Sequence, residues 1–85
     1  MNDKPRHILE KFREDSDTIA RLIEVDGEFL ALCEDYDVCV NALRFWAKSK
    51  EPDAKTRVHE YRNLVQELEE EISQVLAALE PGGLD

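Results

Sequence analysis

Between Phe29 and Ala47 the chain carries helix-forming residues that are apolar on two faces of one cylinder. At about 100° per residue, Phe29, Tyr36 and Leu43 form one row, Leu32, Cys39 and Trp46 a second, and Cys33, Val40 and Ala47 a third. Together these rows make an apolar band roughly 100° wide. Val38, Ala42 and Phe45 point the other way. Large apolar side chains left in water forgo about 1.5–3 kcal/mol each. A helix of this kind is therefore expected to be a central element with something packed on both sides.

The clearest periodicity lies further on. Val58, Tyr61, Val65, Leu68, Ile72, Val75 and Leu79 recur at alternating spacings of three and four, and Leu64 and Leu76 widen the seam. Pro52 suits a first helical turn, and Glu51 and Asp53 favour the positive end of the helix dipole. Pro81-Gly82-Gly83 stops the helix, leaving 81–85 as an expected flexible C-terminal tail. Between the two segments only a short polar stretch remains, and two long helices joined so briefly run antiparallel. The expected hairpin pairs 27–49 with 52–80. Its seam combines Phe29, Leu32, Tyr36, Val40, Leu43 and Trp46 with the seven periodic residues from Val58 to Leu79.

Upstream, Ile8, Leu9, Phe12, Ile19, Leu22 and Ile23 give a weaker helical stripe, interrupted by Glu14-Asp15-Ser16-Asp17. Asp26-Gly27 is a second candidate boundary, because Asp is a good N-cap and an interior Gly costs about 1 kcal/mol relative to Ala. An additional N-terminal helix is expected over 5–24. If it folds back it can cover Val38, Ala42 and Phe45; if it runs on, a second chain must cover them. The expected fold class is thus all-α, a small helical bundle forming a single domain over residues 1–85.

At 85 residues a single core is barely adequate, and oligomerisation is a common remedy. No apolar run approaches the roughly 20 residues of a membrane span, and the start lacks a signal-peptide apolar region. The expected address is the cytoplasm. The net charge of −9 is unevenly spread: residues 44–62 carry six basic and three acidic groups, 63–85 none and six. Arg44, Lys48, Lys50, Lys55 and Arg57 gather around the expected turn. A nucleic-acid reader would have to hold phosphates against this net charge, and no aromatic residues interleave with the basic ones to stack bases, which argues against that partner.

Residues that could carry a reaction are sparse. Cys33 and Cys39 are six apart on one helix, about 240° around it, so they cannot form a disulfide with each other. His7 and His59 lie in different expected helices, and neither belongs to a Glu-x-x-His pair. Ser16, Ser49 and Ser73 have no plausible base, and Gly82-Gly83 is no phosphate cradle. The consecutive Glu69, Glu70 and Glu71 point about 100° apart and cannot converge on one cation. No catalytic, cofactor-binding or metal-ligating residue is assigned, and no cofactor is expected.

Ile19-Ala20-Arg21-Leu22, then Phe29 and Leu32, then Glu71-Ile72-Ser73-Gln74-Val75-Leu76 resemble the YdcH-like small bacterial proteins over residues 19–77. The resemblance implies a short helical hairpin and no assigned biochemical role, with residues 1–13 as an extension. Tyr36 stands where that family often has a His.

The expected function is a non-enzymatic helical interaction or structural module that self-associates, with a protein partner or a homodimer seated on Val38, Ala42, Phe45, Arg44 and Lys48. Two rivals remain. One is a subunit of a metal-dependent enzyme, with a site assembled between chains from carboxylates and His7 or His59. The other is a nucleic-acid accessory protein using the basic turn 44–57.

Overall fold

A computed structural model describes residues 5–79; the expected tail at 81–85 lies outside the described residues. Four helices follow one another: α1 (Arg6–Lys11), α2 (Ser16–Val25), α3 (Gly27–Ala47) and α4 (Ala54–Leu79), with a 3-10 turn at Arg13–Asp15 between the first two. The protein is all-α. No helix among the described residues is long and apolar enough to cross a membrane.

The hairpin α3–α4 is antiparallel in register with Tyr36 beside Glu69, where the phenol donates to Oε2 at 2.7 Å. Its connection is slightly longer than the spacing suggests. Lys48 closes α3, its N–H donating to the Phe45 carbonyl at 3.2 Å, and the Ser49 N–H donates to that of Trp46 at 3.1 Å. Pro52 lies in the turn rather than in the first helical turn; Asp53 precedes α4, and its carbonyl accepts from Arg57 N–H at 3.1 Å.

The N-terminal segment is not the single helix expected over 5–24. Phe12 leaves helical geometry at φ −113°, ψ 59°, and the acidic run that follows forms the 3-10 turn. Short polar side chains such as Asp and Ser compete for backbone hydrogen bonds and favour such breaks. The corner lets Ile8 on α1 and Ile19 on α2 both reach one cluster, with Phe29, Cys33, Tyr36, Ile72 and Leu76. The second boundary is at Asp26, which is extended (φ −128°, ψ 103°) and whose carboxylate accepts from Glu28 N–H at 3.1 Å and Phe29 N–H at 3.2 Å. Asp26 also donates to the Leu22 carbonyl at 2.8 Å, so one residue ends α2 and caps α3.

This geometry decides what the folded-back segment covers. It does not cover Val38 and Phe45. The backbone N–H of His7, in the first turn of α1, donates to Asp37 Oδ1 at 3.0 Å, and His7 Nε2 lies 2.8 Å from Asn41 Oδ1. A helix start has unsatisfied N–H groups, and here a carboxylate from another helix meets one of them. The lobe of α1 and α2 is thereby seated on the side of α3 that carries Cys33, Asp37 and Asn41. The molecule is elongated, 48 × 35 × 20 Å with a radius of gyration of 14.5 Å, against about 12 Å for a compact chain of this length.

Candidate interaction face

Around α3, its own chain occupies two sectors. Tyr36, Val40 and Leu43 turn toward α4, while Cys33, Asp37 and Asn41 turn toward the lobe. At about 100° per residue, the remaining third of the circumference carries Ala31, Val38 and Phe45, with Ala42 at its edge. Val38 and Phe45 are each 64% exposed; Ala42 is half-buried.

Phe45 is held by its neighbour. Its ring meets Trp46 edge to face, with centroids 5.2 Å apart at 86°. Trp46 is half-buried, and the Arg57 guanidinium lies 5.9 Å from its ring centroid. Arg57 is in turn paired with Asp53 at 3.7 Å and Glu60 at 3.2 Å. An indole with a cation over its ring and a perpendicular phenyl beside it has little rotational freedom, so Phe45 projects from a braced support.

Charge along α3 is polar. Glu28, Glu34, Asp35 and Asp37 fall in its first half, Arg44 and Lys48 at its end. Arg44 and Lys48 are exposed and form no ion pair among the described residues. Beyond them, Lys55, His59 and Arg62 border a groove of about 620 Å³ between the last turn of α3 and the first turns of α4, floored by Trp46, Ala54 and Val58.

The remaining seam residues divide by depth. Phe29, Tyr36 and Ile72 are buried; Leu32, Val40, Leu43, Trp46, Val58, Tyr61, Val65, Leu68 and Val75 are half-buried; Leu79 is exposed. Burial, and then the nearby Glu34, push the Cys33 thiol up to about 11. Cys39 is half-buried and also raised, by burial first and then by Asp35. Both thiols are free and held protonated, the opposite of an activated nucleophile.

His7, assigned above only as a possible ligand between chains, sits on Asp37 and Asn41 and closes the lobe. His59 is exposed on α4, its Nε2 3.5 Å from Asn63 Nδ2. Among the described residues no three His, Cys, Asp or Glu side chains gather closely enough to hold a metal ion. The part played by Asp37 was not visible in the sequence, because it depends on a contact thirty residues away in the chain. In comparisons with known proteins, no family model, curated protein or solved structure matches this chain.

Proposed function

We propose that this chain is a small non-enzymatic helical module that self-associates, using the face of α3 formed by Val38, Ala42 and Phe45 and bordered by Arg44 and Lys48. The observation that carries the reading is the pair of 64% exposures at Val38 and Phe45. They lie on a helix whose other sectors are covered by its own chain. Isolated exposed apolar residues are ordinary on protein surfaces. Here they recur at helical spacing, and one is a braced aromatic flanked by Arg, a composition enriched where partners bind. Kinship with the YdcH-like proteins belongs to the same proposal; it is supported by the antiparallel hairpin and adds no activity.

Phe45→Glu tests the face. The substitution is at an exposed position, so helicity by circular dichroism and stability should stay within about 0.5 kcal/mol of wild type, while the mass by light scattering falls toward that of one chain. Unchanged mass together with lost stability would instead make Phe45 part of the monomer's own packing.

One observation favours a second reading. Lys55, His59 and Arg62 around their groove, with Arg44 and Lys48 nearby, make a local basic surface on an acidic chain. That supports an accessory role on nucleic acid, tested by a salt titration of binding to duplex DNA and to RNA. Phosphate contacts would appear as affinity that falls steeply with salt, and absence of binding at low salt would remove this reading.

A further inference from the structure

The free sector of α3 is long enough to show what shape of partner it fits. Ala31, Asp35, Val38, Ala42 and Phe45 are spaced four, three, four and three apart, the spacing of one side of a two-helix seam. In that register Glu34, Asn41 and Lys48 follow one another at intervals of seven along one border of the seam. All three are exposed. Asn41 is held from the lobe side by His7 at 2.8 Å.

We propose that the occupant is a second copy of this chain whose α3 lies antiparallel to the first, about a twofold axis passing between Val38 and Ala42 and close to Asn41. This rests on the self-association reading above and adds its geometry. Charge complementarity selects it. In an antiparallel pair with Ala42 set against Val38 of the second copy, residues on the same border face one another. Glu34 then meets Lys48 of the second copy, twice by symmetry, and Asn41 meets its own counterpart. A twofold contact uses the same patch on both copies, and this patch is its own complement when reversed. In a parallel pair the acidic starts of α3 would lie side by side, as would the basic ends.

The placement also fits the space available. α4 and the lobe take the other two sectors of α3, so an approaching helix meets neither. Ala42 at the centre is small enough for close approach, and Phe45 reaches over Asp35 of the second copy. One helix face of this length buries little area, at the low end for specific contacts. Association is therefore read over a concentration series at low salt, where exposed ion pairs are least screened.

The test uses the full chain. Sedimentation equilibrium of wild type, Lys48→Glu, and the double variant Glu34→Lys with Lys48→Glu should give a dimer, a dimer weakened by about tenfold or more, and a restored dimer. A single cysteine at the axis (Asn41→Cys with Cys39→Ser) should be joined into a covalent dimer by a short bismaleimide; Ala42→Cys in the same background should react less. Cys33 is fully buried and does not compete. A wild-type dimer in which the double variant is no better than Lys48→Glu alone, or in which Ala42→Cys links more readily than Asn41→Cys, overturns the antiparallel arrangement while leaving self-association standing. A single-chain mass at every concentration overturns both.

Discussion

The two ends of the hairpin are built from the same kind of seam and buried to very different depths. Where α1 and α2 lie over it, Phe29, Cys33, Tyr36, Ile72 and Leu76 are buried together with Ile8 and Ile19. Toward the turn, Leu43, Trp46, Val58, Tyr61 and Val65 are only half-buried, and Ala54 is the one buried residue there. The periodicity of α4 does not change between the two ends. What changes is a third layer. Two helices in contact leave the flanks of their seam open, and a lobe laid across one flank closes it. Among the described residues the turn end has no such layer from its own chain, and that is where the exposed Phe45 and the basic groove lie.

If this contrast governs stability, equivalent truncations should differ most between the ends. Ile72→Ala should cost about 2–5 kcal/mol, the range for large-to-small changes in a filled core. Val58→Ala at the half-buried end should cost only about 1 kcal/mol. Urea unfolding of the two variants measures both. Equal losses would mean that the turn end is as well packed in solution as the lobed end, as a second copy covering it would make it.

A smaller effect sharpens the role of the lobe. Asp37→Ala removes the acceptor for His7 N–H at 3.0 Å and should cost about 1 kcal/mol, as loss of a helix cap does. Its signature is local: amide exchange should speed up in α1 and leave the turn end of the hairpin as it was. Uniform acceleration through α3 and α4 would show that the lobe is not a separately opening unit.

The hairpin could be read from the sequence because its signal is local and repeated. Seven seam positions of α4 in one register, a short polar connection and the Asp26 cap each follow from near neighbours in the chain. The break at Phe12 was half visible, in the polar run after it. The direction in which the lobe folds was not. It is decided by His7 meeting Asp37 and Asn41, two polar residues whose pattern on α3 does not distinguish a solvent-facing position from one that receives another helix. For the same reason Val38 and Phe45 could be recognised as a second face, while which element would leave them uncovered could not.

An effect as small as that of Asp37 belongs to Tyr36, where the lobe, α3 and α4 meet. Its hydroxyl donates to Glu69 Oε2 at 2.7 Å, and Lys11 Nζ of the lobe lies 3.9 Å from the same oxygen. Burial first, and then the hydrogen bond to Glu69, raise the Tyr36 pKa above its ordinary 10.0. A folded-state pKa above the unfolded one means that the native protein holds the proton more tightly. The contribution is therefore complete below the unfolded value and is lost as pH rises past it. Cys33, raised from 9.0 to about 11, begins this loss earlier. Wild-type stability should fall as pH climbs above 9, and more steeply above 10. Tyr36→Phe should cost about 1 kcal/mol at neutral pH, less than a fully buried bond to a charged group, because Glu69 is partly exposed and keeps Lys11 nearby. Above pH 10 the variant should lose stability less steeply than wild type, since only the two raised thiols, Cys33 and Cys39, then contribute. Identical slopes for the two proteins would place the phenol in water in solution, and with it the lobe's hold on the α3–α4 seam.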